Sequence, residues 1–297
     1  MKKILITGGS GFVGRNFIEY VNLNRPGEFE IIAPSSKELD CSDSESVSKW
    51  LDGKYYDIVL YFANYSDMID KSRDGGQILG RNLLGFELFA SYSGSYGRMF
   101  FCGSGAEYDK REDIVNVTED EIGKRIPADQ YGLMKYVVGR RIEESSNIIN
   151  IRIFGLFGKY EYYPTKFISG LCAKAVLGLP FTMRRNVYFD YLWIDDFIRM
   201  LLKLIDKDKP CHKTYNMVSG KKISLLELCD IVNEISGADA PVYVCNPGLA
   251  KEYTASNERF LAEFPDFEYT SMQDSIANLY SWFSEHKDEI VLEKMIY

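Results

Sequence analysis

The chain has 297 residues, of which 46% are hydrophobic, 26% charged and 14% aromatic, a composition that excludes disordered and fibrous proteins. The formal net charge of −8 argues against a nucleic-acid partner, because a surface that follows a phosphate backbone needs an excess of cations. No apolar run reaches the roughly 18 residues that span a bilayer, and the first apolar run is too short for a signal peptide. We therefore expect a cytoplasmic protein without a membrane partner.

Cysteine and histidine usage narrows the chemistry further. The six cysteines are scattered without a C-x-x-C pair, which predicts reduced thiols and neither a disulfide scaffold nor a metal site. The only two histidines are His212 and His286, so catalysis that depends on histidine has almost no side chains to use.

Apolar runs and stretches of helical periodicity alternate from the start of the chain. In chain order, strands are predicted around 3–6, 30–33, 57–63, 98–102 and 149–154, and helices around 13–21, 44–51, 77–92 and 129–145. Strands separated by helices are typical of β-α-β units, whose strands lie parallel in one sheet. After residue 158 the alternation stops, and a helix at 167–177, a strand at 214–218 and a helix from Ser224 to Gly237 follow.

A glycine-rich segment, Thr7-Gly8-Gly9-Ser10-Gly11-Phe12-Val13-Gly14, follows the first predicted strand and opens the first helix. Glycines there permit a tight turn and a close approach of the backbone to a pyrophosphate. The helix N-terminus adds free N–H groups and the positive end of a dipole. We predict that a dinucleotide binds at Gly8, Gly11, Phe12, Val13 and Gly14; a glycine-rich turn without a ligand is the alternative.

The end of the second predicted strand bears on the choice of cofactor. An NAD site usually has an acid there that bonds the ribose hydroxyls, whereas here Ser35, Ser36 and Lys37 follow Pro34. Two hydroxyls and an ammonium suit a 2′-phosphate, so these residues favour NADP(H), with NAD(H) as the alternative. An ordinary polar turn would have the same sequence.

Together these patterns predict an α/β fold, a Rossmann-like doubly wound parallel sheet of about six strands with a small mixed α/β carboxy-terminal lobe. Residues 1–158 would form the NAD(P)-binding domain, with 187–220 returning to it. Residues 159–186 and 221–297 would form the substrate-binding lobe, and the substrate would lie between the two.

Tyr131 and Lys135 stand one turn apart in a stretch of helical periodicity. This spacing places a phenol and an ammonium on one helix face, where the cation can lower the pKa of the phenol and make it a usable acid or base. The same spacing recurs at Tyr162 and Lys166, but Pro164 between them breaks the helical register.

With these motifs in this order, the chain resembles the extended short-chain dehydrogenase/reductase family, which comprises NAD(P)-dependent nucleotide-sugar epimerases, dehydratases and reductases. The resemblance covers nearly the whole chain. Besides the glycine-rich segment and Tyr131-Gly132-x-x-Lys135, it rests on the segments 40–41, 62–64, 82–85, 101–108, 152–158, 190–196 and 215–220.

The resemblance implies a role for individual residues. It makes Tyr131 the acid/base that faces a sugar carbonyl or hydroxyl, Lys135 the residue that holds the nicotinamide ribose, and Ser104 the hydrogen-bond partner of the reacting oxygen. Lys135 would also lower the pKa of the Tyr131 phenol. Further dinucleotide contacts are implied at Asp40, Cys41, Phe62, Ala63, Asn64 and Asn82. A homodimer through the helices around 82–92 and 129–145 is also implied.

Departures from the family pattern beside Ser104 narrow the reaction. Family dehydratases have an Asp-Glu pair directly after the catalytic hydroxyl, whereas this chain has Gly105 and Ala106, neither of which can move a proton. Fucose-synthase-type enzymes use a Cys at the position of Ala106 and a later His, and this chain has no His before His212. Dehydration and carbon-acid epimerisation are therefore disfavoured. Ala106 and Glu107 remain candidate substrate contacts.

The substrate side of the pattern has changed as well. Gly155 stands where the family usually has an asparagine, and Phe189 stands where an arginine usually precedes the aspartate. The arginine that would hold a diphosphate is thus missing there. Arg184 and Arg185 are candidate replacements, although a solvated basic pair fits the sequence equally well.

We predict an NADP(H)-dependent oxidoreductase of a nucleotide-activated sugar, with 4-keto-sugar reduction as the favoured reaction. An NAD-dependent C4 epimerase needs the same three residues and no further base, so it is the alternative. A sensor or scaffold on the same fold is the non-enzyme alternative, and the intact set of Ser104, Tyr131 and Lys135 argues against it.

Overall fold

The computed structural model describes residues 1–66 and 74–295. Its strands are β1 (Lys2–Thr7), β2 (Phe29–Ile32), β3 (Tyr56–Tyr61), β4 (Tyr96–Ser104), β5 (Ile114–Val117), β6 (Ile148–Ile153), β7 (Gly155–Phe157), β8 (Phe181–Met183), β9 (Tyr188–Trp193), β10 (Thr214–Met217), β11 (Lys222–Ser224), β12 (Val242–Val244) and β13 (Tyr253–Ala255). Its α-helices are α1 (Phe12–Asn24), α2 (Ser44–Leu51), α3 (Ile78–Ser91), α4 (Gln130–Glu143), α5 (Phe167–Leu177), α6 (Ile194–Asp206), α7 (Leu225–Ser236), α8 (Glu258–Glu263) and α9 (Met272–Glu285).

Six strands form one parallel sheet in the order β2-β1-β3-β4-β6-β10. The chain moves from β1 outward to β2 and then to the other side of β1 for β3, so the winding reverses between β1 and β3. Open α/β sheets bind ligands outside the carboxyl ends of their strands at such a switch point. The predicted doubly wound α/β fold is confirmed.

Both faces of this sheet are covered, which explains why its strands are continuous apolar runs. Successive residues of a strand point to opposite faces. Ile4 and Ile6 of β1 accordingly pack in the cluster that contains α1 and α6, whereas Leu5 between them packs with α2, α3 and α4. Because these strands are parallel, the carboxyl ends of β1, β3 and β4 lie at one edge of the covered sheet.

A smaller sheet joins distant parts of the chain. Its order is β11-β9-β13-β5, with β7 pairing β9, and β8 pairs β12 separately. Helices α5, α7 and α9 pack on one another beside these strands. β10 lies in the large sheet, while β5, from the range predicted for the first domain, pairs β13 of the predicted lobe.

The division of the chain at 158, 187 and 220 stays a prediction, and residues 67–73 and 296–297 of the predicted ranges lie outside the described residues. Within the part that is described, no helix has the length and apolarity that crossing a membrane requires.

Candidate active site

The glycine-rich segment forms the turn between β1 and α1. Gly8 has φ of +73°, a left-handed conformation that favours glycine, and its carbonyl accepts the N–H of Gly11 at 3.0 Å. A Cβ on Gly14 would overlap the Gly8 carbonyl oxygen and lie 2.7 Å from the Cα of Gly9. Gly11 caps α1 without a side-chain hydrogen bond, and the first turn of the helix has no acidic residue. The turn is therefore a cradle of backbone N–H groups that fits the pyrophosphate of a dinucleotide.

A cleft of about 1510 Å³ extends from this turn to the carboxyl end of β4. It is lined by most of the residues predicted to contact the dinucleotide, namely Gly8, Gly11, Phe12, Val13, Gly14, Ser36, Asp40, Cys41, Phe62, Ala63, Asn64 and Asn82. Ser104 and Tyr131 line the same cleft. The structure thus brings most of the predicted dinucleotide residues and the predicted catalytic hydroxyls to one cavity, whereas Ser35, Lys37 and Lys135 are not part of its lining.

The turn after β2 contains the carboxylate of Glu38, which the sequence analysis did not assign to the cofactor site. The Glu38 carboxylate accepts both the N–H and the hydroxyl of Ser35, each at 2.8 Å. Further along, Asp40 accepts from Arg81 at 2.9 Å, and Arg81 also donates to Ser42. Arg81 lines the cleft although no prediction included it; its only local signal is its place directly before Asn82.

Asn82 shapes the cleft through the loop that follows β3. Its amide donates to the carbonyls of Tyr65 at 2.9 Å and of Ile78 at 2.8 Å, and its oxygen accepts the N–H of Tyr65 at 2.8 Å. The N–H of Ala63 in the same loop donates to the hydroxyl of Thr7 at 3.2 Å. These bonds fix residues 63 and 65, which follow β3, against the end of β1 and the start of α3.

Strand β4 and helix α4 bring Ser104, Tyr131 and Lys135 together. Ser104 and Tyr131 both line the cleft, and the Ser104 oxygen accepts the N–H of Ala106 at 3.1 Å. The ammonium of Lys135 lies 5.6 Å from the centroid of the Tyr131 ring. The same ammonium donates to the carbonyl of Cys102 at 2.6 Å. Lys135 is therefore held against β4, the strand that ends at Ser104.

The pKa of Tyr131 differs in direction from the one that its spacing to Lys135 predicts. Burial raises the pKa of the Tyr131 phenol, and the lowering influence of the nearby Ser104 hydroxyl offsets only part of that rise. Burial also lowers the pKa of Lys135. The expected lowering of the Tyr131 pKa by Lys135 is thus not observed, because desolvation of the phenol outweighs the other influences. Tyr131 retains its proton at neutral pH, which suits a proton donor.

Four predicted substrate contacts lie away from the cleft. Ala106 and Glu107 are both 0% exposed, and the Glu107 carboxylate accepts from Arg152 at 2.6 Å. Glu107 also accepts the backbone N–H of Ser104 at 3.1 Å, so it stabilises the turn after β4 and does not contact a ligand. Arg184 and Arg185 are exposed after β8 and outside the cleft lining, so their assignment as a diphosphate clamp stays a prediction.

The second wall of the cleft comes from residues to which the sequence analysis gave no role in the cleft. Phe154, Phe189 and Tyr253 line it, and a Cβ added to Gly105 would overlap the Tyr253 hydroxyl. Glu161 lines it as well; its carboxylate accepts from Ser169 at 2.5 Å, and burial raises its pKa to about 7. These residues meet because β9 pairs β13, a long-range contact that spacing along the chain does not reveal.

The second Tyr/Lys pair of the sequence is not helical. The segment Tyr163–Thr165 is a short 3-10 helix that contains Pro164, and α5 begins only after Lys166. Tyr162 lines the cleft but does not share a helix face with Lys166, as the proline predicted.

Comparison with known proteins places these features in a family. GDP-L-fucose synthase of Azorhizobium caulinodans is 45% identical over 62 residues, which are 21% of this chain and 19% of that protein. The crystal structure of a GDP-L-fucose synthetase from Naegleria fowleri is similar with a TM-score of 0.82 at 16% identity, covering 97% of this chain and 94% of that one. A GDP-mannoheptose C4 reductase from Campylobacter jejuni with NADP bound has a TM-score of 0.79 at 17% identity, covering 95% and 98%.

The family model described as the NAD dependent epimerase/dehydratase family matches residues 4–217, a range that contains the glycine-rich turn, Ser104, Tyr131 and Lys135. The predicted relationship to extended short-chain dehydrogenases/reductases is confirmed by this match. The chain belongs to the NAD dependent epimerase/dehydratase family.

Proposed function

We propose that the protein is an NADP(H)-dependent reductase of a 4-keto nucleotide-activated sugar. The observation that carries this proposal is the carboxyl end of β4, where Ser104 and Tyr131 line the cleft while Gly105 and Ala106 follow. One phenol can transfer the single proton that carbonyl reduction needs. Neither residue after Ser104 can remove a second proton, as the elimination of water would require.

The state of the phenol supports reduction. Because the pKa of Tyr131 is raised by burial, its hydroxyl keeps the proton and can give it to a carbonyl oxygen in the cleft. Lys135 is fixed against β4 by the Cys102 carbonyl, and its ammonium lies 5.6 Å from the centroid of the Tyr131 ring. A nicotinamide bound along the cleft supplies the hydride.

The preference for NADP(H) rests on the cation and hydroxyl near the end of β2. Ser36 and Arg81 line the cleft, and Lys37 is exposed next to Ser36. The Ser36 hydroxyl and the Lys37 ammonium could therefore both contact a 2′-phosphate. The C4 reductase from Campylobacter jejuni, which shares the fold, is a complex with NADP.

An NAD-dependent C4 epimerase is the second candidate, and Glu38 favours it. Its carboxylate binds the Ser35 hydroxyl and so places negative charge where a 2′-phosphate would need cations. An epimerase would use the same Ser104, Tyr131 and Lys135.

A homodimer through α3 and α4 stays part of the proposal. These helices pack side by side, and Leu84 on α3 and Val137 on α4 are 49% and 40% exposed. Apolar side chains on two adjacent helices would be covered in a dimer.

The test of function combines the content of the purified protein with turnover. A reductase exchanges its cofactor in every cycle, so it should purify largely without dinucleotide and oxidise NADPH one-for-one with a 4-keto nucleotide-sugar. An epimerase regenerates its cofactor, so it should retain NAD and interconvert two sugars without net change at the nicotinamide absorbance band. Tightly bound NAD together with interconversion of a UDP-hexose pair, without added cofactor, would overturn the reductase proposal.

A further inference from the structure

Arg81, near the start of α3, lines the cleft together with Asp40 and Ser42 of the segment that follows β2, and the proposed reaction assigns it no role. Its Nη2 donates to the Asp40 carboxylate at 2.9 Å and to the Ser42 hydroxyl oxygen at 2.8 Å. Its Nε donates to the same hydroxyl oxygen at 3.1 Å, and its Cζ lies 4.8 Å from the centroid of the Tyr65 ring. Three hydrogen bonds and a ring contact therefore hold the guanidinium in one orientation at the cleft wall.

The Asp40 carboxylate is fully engaged in this arrangement. Its Oδ1 accepts the backbone N–H of Ser42 at 2.9 Å and the Ser42 hydroxyl at 2.8 Å, while its Oδ2 accepts from Arg81. Burial acts to raise the pKa of Asp40, but the bonds from Ser42 and Arg81 outweigh it and lower that pKa. The carboxylate is therefore ionised at neutral pH, and it both holds the guanidinium and offsets its charge.

The place of Arg81 relative to a dinucleotide follows from two fixed points of the cleft. The pyrophosphate fits the glycine-rich turn after β1, and the nicotinamide must reach Tyr131 near the end of β4. Strands β2 and β4 lie on opposite sides of β1 in the sheet, so the adenosine half must extend toward the segment after β2. Arg81 lines the cleft there, as do the apolar side chains of Leu39 and Ile78.

Two parts of the dinucleotide could meet the guanidinium, namely the adenine ring and, in NADP(H), the 2′-phosphate. A phosphate needs an excess of positive charge, but the Asp40 carboxylate lies 2.9 Å from Arg81 and offsets it. An adenine ring is neutral and packs on flat, weakly hydrated groups. The N–H groups of a guanidinium lie in its plane, so the bonds to Asp40 and Ser42 leave its faces for aromatic rings. The geometry therefore favours the base.

We propose that Arg81 binds the adenine ring of the dinucleotide by packing its guanidinium on a face of the base, and that Asp40 is a positioning residue that holds the guanidinium. The family resemblance implies a direct contact between Asp40 and the dinucleotide, whereas here the carboxylate acts through Arg81. This inference rests on the dinucleotide binding proposed above and is independent of the reaction that follows.

The first test titrates the full chain, freed of any copurified dinucleotide, with NADPH, NADH and reduced nicotinamide mononucleotide. In Arg81→Met we expect the dissociation constants for NADPH and NADH to rise by the same factor, about 3- to 10-fold. The constant for the mononucleotide, which lacks adenine, should stay unchanged. Arg140→Met is the matched control and should change none of the three, because Arg140 is an exposed arginine on α4 that pairs with Glu143 at 2.8 Å outside the cleft lining.

A double substitution tests the role assigned to Asp40. If the carboxylate acts through Arg81, Asp40→Ala should weaken the binding of both dinucleotides in the wild-type background and have no further effect in Arg81→Met. Additive losses would mean that Asp40 contacts the dinucleotide by itself, and they would overturn its positioning role. Thermal unfolding checks that each variant is folded.

A nuclear Overhauser measurement tests the contact in the wild-type chain. With arginine labelled with ¹³C and ¹⁵N and unlabelled NADP⁺, the adenine H2 or H8 proton should show a cross-peak to the Arg81 side chain, assigned by its loss in Arg81→Met. An absent cross-peak would overturn the proposal.

A loss of affinity in Arg81→Met that is confined to NADPH would assign Arg81 to the 2′-phosphate and overturn the adenine contact. Equal losses in Arg140→Met would overturn it as well. Failure of the wild-type chain to reduce any 4-keto nucleotide-sugar would instead contradict the proposed function, and it would leave these binding measurements as they are.

Discussion

The wall of the cleft around β1 and the wall around β13 are built in different ways. The first is a continuous backbone turn, in which Gly8, Gly11 and Gly14 let the start of α1 pack closely on the end of β1 within one short segment. The second is assembled from Phe154, Phe189 and Tyr253, whose rings contact one another only because β13 lies between β9 and β5. Substitutions should therefore act on the first wall through backbone space and on the second through single hydroxyl and carboxyl groups.

The largest effect is expected where the two walls meet. Tyr131→Phe should lower turnover by about 10²–10⁴-fold, because it removes the proton donor while the turn that holds the dinucleotide is unchanged. Steady-state turnover measures the loss of the proton donor, and the dissociation constant for NADPH shows that dinucleotide binding is unchanged. Tyr162→Phe, which alters another phenol in the same cleft, should cost far less. Equal activity of the two variants would mean that Tyr131 is not the acid.

On the first wall, Gly14→Ala should break the turn. Its Cβ would overlap the Gly8 carbonyl oxygen and lie 2.7 Å from Gly9, so we expect a loss of about 1–3 kcal/mol in unfolding free energy and weaker dinucleotide binding. Gly80→Ala is the matched control, because a Cβ there meets no atom within 4 Å and alanine is the better helix former. Denaturant unfolding measures the stability of the two variants, and titration with NADPH measures their dinucleotide binding. Equal effects of the two substitutions would exclude the steric explanation.

On the second wall, Glu161→Gln should change how stability depends on pH. Burial raises the pKa of Glu161 to about 7 from the ordinary 4.5, so the folded state holds a proton that the unfolded state loses. Stability of the wild type should then fall as the pH rises from 4.5 to above 7, by at most about 3 kcal/mol. The glutamine variant avoids this loss, and it should be more stable than the wild type at pH 8 and equal to it near pH 4.

Unfolding free energies of both proteins at the two pH values measure the difference directly. Asp190, whose pKa is also raised by burial to about 7, is present in both proteins and cancels. A constant difference across the range would show that Glu161 is ionised in the folded protein.

The smallest effect concerns the exposed turn after β2. Glu38→Gln removes the negative charge beside Ser35, so it should improve NADPH binding relative to NADH by a few-fold. Glu45→Gln, an equal change of charge in the first turn of α2, should leave the ratio unchanged. Titration of both reduced cofactors into each variant provides the ratio, and an unaltered ratio in Glu38→Gln would remove this carboxylate from cofactor selection.

The difference between the two walls also explains which residues of the site could be predicted from the sequence. The turn at Gly8 and the pair Tyr131 and Lys135 depend on local spacing, which periodicity and glycine position reveal directly. Glu107 could not be placed in this way, because its partner Arg152 stands on the neighbouring strand and turns an apparent cleft residue into a buried ion pair. Tyr253 enters the cleft lining only through the pairing of β13 with β5 and β9, and burial raises the pKa of Tyr131 although the spacing to Lys135 suggests a lowered one.

The most direct measurement follows a deuterium atom from NADPH labelled at nicotinamide C4 into the sugar. With a 4-keto nucleotide-sugar, the wild-type protein should form a product that carries one deuterium at C4, with one NADPH consumed per product. Tyr131→Phe should bind the labelled cofactor and form product at least about a hundredfold more slowly. Unlabelled product formed without consumption of NADPH, by a protein that retains NAD, would contradict the reductase and support the epimerase.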